Sequence, residues 1–329
     1  MKRKNFLSAG CIAALLGCII FYACNKNDLA GQGSAKIAAQ PVTDAANIAA
    51  VAKTGPKSVV YIEVNSNNFQ NAKCYTLTKG GQQLFDIAII FAANINYNTA
   101  AHAAVLYNNP NMSAVLTGKA SYIQPLQAKG IKVMLSILGN HQGAGVSNFT
   151  SRTAAHAFAK QLSDTVAFYG LDGIDFDDEY ADYGTNGTPQ PNDSSFVLLL
   201  NELRGLLPSG KLISFYYYGP ATSSLQYGGL AAGSFLNYSW NAIYGTFSSP
   251  SVPGMSKSQY AAAAVDISST GSSTAQSLAH QTVNGGYGWY LFYDLTGTSA
   301  QSYLSGISNI LNTSKTSLAS GCLESWTSH

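Results

Sequence analysis

From residue 58 onward, short apolar runs rich in β-branched and aromatic residues alternate with longer stretches whose apolar positions recur at helical spacing. The runs predict strands over 59–64, 86–93, 131–138, 173–178, 212–218, 236–244, 262–267 and 288–293. The stretches between them predict helices over 114–128, 153–169, 194–207, 274–284 and 299–311. In the third of these, Phe196, Leu199, Leu200, Leu203 and Leu206 share one face, and Asp193 is the expected N-cap. Strands and helices alternating in this number over about 250 residues fit a (β/α)8 barrel, the TIM barrel. An open doubly wound sheet is the alternative, but no GxGxxG or Walker sequence follows the first strand to favour it. The expectation is one α/β barrel domain over 57–315, followed by a C-terminal tail over 316–329.

The beginning of the chain follows a different pattern. Lys2-Arg3-Lys4 precedes an apolar stretch over 7–23, broken only by Ser8 and glycines, which is the layout of a secretory signal. A membrane-spanning helix is the competing reading, and it needs about 20 continuous apolar residues. The stretch ends Phe21-Tyr22-Ala23-Cys24, which resembles a bacterial lipobox with Phe21 in place of the usual Leu. Residues 1–23 are therefore read as a lipoprotein-type signal peptide and Cys24 as the lipidated residue. Residues 24–56, rich in Ala, Gln, Asn and Ser, read as a flexible tether. Export follows as the expectation, to the periplasm, the cell surface or the medium, with membrane contact only through a lipid at Cys24.

Five cysteines are present, and Cys11 and Cys18 fall within the signal. Cys74 and Cys322 can in principle pair, yet neither belongs to a CxxC element, so no zinc site is expected. The two are read as unrelated thiols, free or buried.

Charge narrows the partners. Only 10% of residues are charged, and of 18 basic and 16 acidic residues three basic ones lie in the signal, leaving 15 against 16. That balance argues against nucleic acid, which needs a basic footprint. The 46% hydrophobic content argues against a disordered chain. The remaining polar surface is Asn, Ser, Thr, Gln and Tyr, groups that hydrogen-bond neutral hydroxylated ligands. A monomer is expected.

The chemistry concentrates in Leu171-Asp172-Gly173-Ile174-Asp175-Phe176-Asp177-Asp178-Glu179-Tyr180. Side chains alternate along a strand, so Asp175, Asp177 and Glu179 share one face and Ile174 and Phe176 the other. With the apolar pair packed outward, three carboxyls line the barrel interior, ending where barrel enzymes place their chemistry. Each desolvated charge costs several kcal/mol unless paired or neutralised. Like charges so close raise one another's pKa, so at least one carboxyl should hold a proton, as a general acid must. A calcium loop of the EF-hand type lacks its Gly and terminal Glu here, and a solvated turn would not carry apolar residues at strand spacing. Magnesium or calcium held by the column remains the bland alternative. By parity Asp178 points away and reads as a rim hydrogen-bonder, and Asp172 as a support where the strand begins.

Asp172-Gly173-x-Asp175-x-Asp177-x-Glu179 resembles the DGxDxDxE signature of glycoside hydrolase family 18. The run through Tyr180, Ala181, Tyr183, Gly184, Asn186-Gly187-Thr188 and Gln190-Pro191-Asn192-Asp193 is similar to its endo-β-N-acetylglucosaminidases of the endoglycosidase H type. So are Phe91-Ala92-Ala93-Asn94-Ile95-Asn96-Tyr97, the run from Ser136 to Gly145, Gly219-Pro220-Ala221, Trp240-Asn241 and Tyr244-Gly245. The resemblance implies hydrolysis between the two GlcNAc residues of N-linked glycans, high-mannose and hybrid chains above all, by a retaining mechanism. In that mechanism the substrate's own acetamide is the nucleophile. Glu179 is implied as proton donor and then base, Asp177 as acceptor of the acetamide N–H, and Asp175 as its proton-sharing partner. No metal and no cofactor is implied. Tyr244 and Asn241 are the substrate-binding candidates, although parity brings both inward only with a bulge. Ser136 is expected to pack beneath the acids, and His141 to structure its loop or touch sugar. A chitinase of the same family and a non-catalytic glycan-binding barrel are the competing functions.

Overall fold

Residues 52–329 are described in the computed structural model. The expected signal peptide, Cys24 and the tether up to residue 51 lie outside the described residues. The eight apolar runs form parallel strands: β1 (Lys57–Glu63), β2 (Ile87–Asn98), β3 (Lys132–Gly139), β4 (Gly173–Asp177), β5 (Leu212–Tyr217), β6 (Tyr238–Asn241), β7 (Tyr260–Asp266) and β8 (Trp289–Tyr293). Each pairs with its neighbours in chain order, and β1 pairs with both β2 and β8, which closes the barrel.

Strand alternation sorts the apolar residues into two clusters. Val59, Tyr61, Ile89, Met134, Trp240 and Leu291 pack inside the barrel. Val60, Ile62, Leu135, Ile174, Phe176 and Phe215 pack outside it, beneath the helices. Phe176 meets Phe196 edge-on at 5.7 Å, and Phe196 lies 4.8 Å from Phe215, which fixes the outer face of β4. Burying each such ring stabilises the fold by roughly 1.5–3 kcal/mol.

The helices depart from expectation where the backbone demands it. The stretch expected as one helix over 114–128 is three: α1 (Pro110–Thr117), α2 (Lys119–Tyr122) and α3 (Gln124–Gln127). Gly118 caps the first, and Pro125, near the start of the third, has no N–H to continue a ladder. The remaining helices are α4 (Arg152–Tyr169), α5 (Ser195–Leu206), α6 (Ser272–Gly285) and α7 (Gln301–Leu311). Asp193 is not the cap of α5. Asn192 Oδ1 accepts from the N–H groups of Ser194 and Ser195, while Asp193 accepts from Ser224 Oγ. No α-helix follows β5 or β6, where 3₁₀ turns and two-residue strands make the connections. β2 runs on past the barrel and folds back as an antiparallel strand, Ala103–Tyr107, that the sequence pattern did not announce.

Cys74 and Cys322 are not separate thiols. They form a disulfide with Cα atoms 5.6 Å apart, across 248 residues of chain. Thr316–Leu318 pairs antiparallel with Tyr75–Leu77, and Asn71 exchanges hydrogen bonds with the backbone of Glu324. This docking of residues 316–324 brings the sulfurs together. Spacing along the sequence carries no trace of it.

Candidate active site

Asp172, just before β4, accepts from the Val133 N–H at 2.9 Å and from Gln127 at 2.8 Å, and pairs with Lys132, which anchors β4 to β3. β4 then aims its acids inward. Register places Ser136 of β3 and Ser214 of β5 on either side of Asp175. Four donors converge on this fully buried carboxyl: Tyr61 Oη at 2.8 Å, Ser136 Oγ at 2.9 Å, Ser214 Oγ at 2.5 Å and Trp240 Nε1 at 3.2 Å. Burial pushes the Asp175 pKa up to about 6, and the four hydrogen bonds hold it from rising further.

Asp177 is treated differently. It is 3% exposed, and its Oδ1 has no hydrogen-bond partner. Burial first, then the charges of Glu179, Asp175 and Asp178, raise its pKa well above the carboxylate range. The site thus disfavours the charged form of Asp177, and no hydrogen bond joins it to Asp175. Glu179 sits just past the end of β4, half-buried, with its pKa raised by desolvation.

Two glycines seat the loop that carries Glu179. A Cβ on Gly139 would lie 2.3 Å from the Glu179 carbonyl, and one on Gly219 would lie 2.0 Å from the Asp178 carbonyl. Gly139 and His141 donate to the carbonyls of Glu179 and Tyr180, so the loops after β3 and β4 run as one unit. Asp178 faces outward, as parity requires, but it is 4% exposed rather than at the rim. Its carboxyl accepts from Ser147 Oγ, Tyr183 Oη and the Ala221 N–H, which ties three loops together. An open pocket of about 380 Å³ lies past Glu179, between Tyr180, Asp182, Tyr218 and Pro220.

Of the two candidate contact residues, Tyr244 is brought to the column and Asn241 is not. Tyr244 stacks on Tyr293 at 5.0 Å and lies beside Tyr216, and burial raises both the Tyr216 and Tyr244 phenols far above their ordinary value. The Asn241 amide is consumed by its own surroundings, donating to Ala262 O and Thr246 and accepting from the Ile243 N–H. It shapes the turn that carries Tyr244 inward. His141 pairs with Asp182 at 2.9 Å on the exposed rim. Sequence reasoning missed Tyr61, Ser214 and Trp240 as partners of Asp175, since each reads as core until strand register is known. The oxygens of Asp175 are committed to four donors and are not free for a cation.

Residues 57–240 match the sequence profile of Glycosyl hydrolases family 18. The chain belongs to this family. Among family 18 relatives, an endo-beta-N-acetylglucosaminidase of Flavobacterium sp. (strain SK1022) is 54% identical over 79% of this chain and 81% of its own. Endo-beta-N-acetylglucosaminidase F1 of Elizabethkingia meningoseptica is 36% identical over 75% of this chain and 74% of its own. The solved structures of EndoBT-3987 from Bacteroides thetaiotamicron, with Man5GlcNAc product and with Man9GlcNAc2Asn substrate, superpose with a TM-score of 0.71 at 28% identity. They cover 80% of this chain, which spans 62% and 67% of the two solved chains. As a family 18 member, the protein is a glycoside hydrolase.

Proposed function

We propose that this chain is an endo-β-N-acetylglucosaminidase that hydrolyses the β-1,4 bond between the two GlcNAc residues of N-glycan cores, with high-mannose and hybrid chains preferred. The observation that carries the reading is a buried Asp177 with a bare carboxyl oxygen, two residues before a half-buried Glu179 that lines an open pocket. Identity to proteins named for this activity, and a substrate-bound neighbour of the same fold, support it.

In this reading the acetamide carbonyl oxygen of the substrate attacks C1 as the C1–O4 bond breaks, and Glu179 gives its proton to the departing oxygen. Asp177 accepts the acetamide N–H through its unpartnered oxygen and balances the positive charge that grows on the oxazolinium ring. Asp175, whose pKa is pushed up to about 6, shares the proton of the pair once the Asp177 side chain turns inward and takes the place of one of its four donors. Water then attacks C1, the C1–O bond of the ring opens, and Glu179 takes up the water proton. Two inversions give net retention, and the scheme departs from the usual two-carboxylate pair because the second nucleophile belongs to the substrate. Tyr244 and Tyr216 line the place of the acetamide.

Equal amounts of enzyme acting on a Man9GlcNAc2-Asn peptide and on soluble chitin oligomers test the reading. The peptide should lose its glycan and retain one GlcNAc, and Glu179→Gln should lower the rate about 10²- to 10⁴-fold. Preferential cleavage of chitin oligomers would overturn it in favour of a chitinase.

Export is part of the proposal. A disulfide persists in oxidising compartments and is rare in a reducing cytosol, so the Cys74–Cys322 bond supports the signal read in residues 1–23. Acylation at Cys24, checked by mass analysis of the mature N-terminus, separates an anchored monomer from a released one.

A further inference from the structure

The charged residues of the barrel are sorted by end. Glu63, Asp266 and Asp294 close or follow β1, β7 and β8, at the same end as Glu179. The opposite end, where strands start and helices finish, is basic. Lys57 and Lys132 open β1 and β3, Lys129 and Lys257 lie just before β3 and β7, Lys79 precedes β2, and Lys315 follows α7; all of these are exposed. The acids at the strand starts, Asp86 and Asp172, are each already paired, with Lys53 at 2.5 Å and with Lys132 at 3.1 Å.

The lysines form one arc from β7 through β1 to β3. The Lys57 N–H donates to the Gly288 carbonyl and the Gly288 N–H to that of Lys257, which sets these two residues side by side. Lys79 Nζ donates to the Thr313 carbonyl, and the Thr78 N–H to that of Lys315. At the β3 side the arc meets an apolar residue. Phe168, in the last turn of α4, is 70% exposed, and Lys119 Nζ lies 5.4 Å over its ring. Gln127 ties the Gly170 carbonyl to Asp172, the partner of Lys132. An exposed phenyl ring adds little to the core, and among basic side chains it has another use. The chain also enters here. Residues 52–56 run into β1, and Asn312 Nδ2, just past α7, donates to the Thr54 and Pro56 carbonyls at 2.7 and 3.1 Å. A lipid carried upstream, as expected at Cys24, would join the barrel at this end.

We infer that the strand-start end of the barrel is a docking surface for a bilayer rich in anionic phospholipid. The exposed lysines meet the lipid phosphates and Phe168 enters the interface, so the mouth with Glu179 faces away from the membrane. Each lysine at such a surface strengthens binding about fivefold, and an aromatic ring suits the boundary between headgroups and acyl chains. Nucleic acid fits this end less well. Its readers track a strand with arginines and stacking rings, whereas Arg204 spends its guanidinium on the Phe235 and Lys211 carbonyls. The inference is independent of which glycan the enzyme cuts.

The chain made without residues 1–23 and with Cys24→Ser carries neither signal nor lipid, and isolates the surface. It should co-sediment with vesicles of phosphatidylglycerol and phosphatidylcholine in equal parts, and not with phosphatidylcholine alone. In this background Lys129→Ala and Lys315→Ala should each weaken the partition about fivefold, and Phe168→Ala should weaken it as well. Lys160→Ala removes the same charge from the flank of α4, where Lys160 pairs with Asp164, and should change the partition by less than about twofold. Vesicle-bound enzyme should cleave a Man9GlcNAc2-Asn peptide with the kcat/KM of the free enzyme, because its mouth faces solution. Sedimentation with both vesicles alike, or with neither, would overturn the inference. So would a Lys160→Ala loss equal to that of Lys129→Ala, tighter binding to duplex DNA than to the anionic vesicles, or vesicles that block cleavage.

Discussion

Asp177 and Asp178 are neighbours in the chain and almost equally buried, yet they belong to two regions built on opposite rules. Asp178 points into the seam between the barrel and its loops, where three donors from Ser147, Tyr183 and Ala221 satisfy it. Asp177 points into the barrel, where one oxygen has no partner and burial, then three other carboxyls, raise its pKa. A buried acceptor left bare costs about 1–3 kcal/mol, so a fold selected for stability alone would have filled it. The difference teaches where to look for chemistry. Outside the barrel the buried Asp178 is committed, and inside it Asp177 is held ready for a ligand that brings its own N–H.

Four changes break or sharpen this contrast. The largest effect is expected at Asp177→Asn, which should lower kcat about 10²- to 10³-fold while leaving thermal stability unchanged or higher. Kinetics and melting temperature on the same preparation check it, and a destabilised but active variant would erase the contrast. On the committed side, Cys322→Ser should lower unfolding free energy by about 2–4 kcal/mol in denaturant titration, with kcat preserved. Asp178→Ala should cost about 1–3 kcal/mol, because donors from three loops lose their acceptor. Its activity should fall far less than that of Asp177→Asn.

The smallest effect is a pH dependence whose sign follows from the raised pKa values. A carboxyl with a folded pKa above its unfolded value adds stability at low pH and loses it as pH rises through the folded value. For Asp175 that window runs from the ordinary carboxylate range to about 6, and Asp177, whose pKa is also raised, acts in the same sense. The stability gained by Asp177→Asn over the wild type should therefore grow from pH 5 to pH 8. A gain that stays flat over this range would mean that Asp177 is ionised throughout.

Much of this contrast was legible in the sequence. Period-two alternation from Ile174 to Glu179 told which acids face inward, and eight apolar runs told the barrel. What periodicity could not show was set by contacts between distant strands. The four donors on Asp175 come from β1, β3, β5 and β6, and only register makes them neighbours. Asn241 and Tyr244 are both candidates because the family resemblance implies a tyrosine near the sixth strand that holds the acetamide oxygen. The strand ends at Asn241, whose amide then holds the turn, and only Tyr244 reaches the column. The disulfide was missed for the same reason: residues 316–318 pair with residues 75–77.

The central claim is that the nucleophile is the substrate's own acetamide, received by the bare oxygen of Asp177. Proton NMR of glycan freshly released from a Man9GlcNAc2-Asn peptide tests it most directly, read before the new reducing end mutarotates. The β-anomer should appear first, with one GlcNAc left on the peptide. First appearance of the α-anomer would contradict the account.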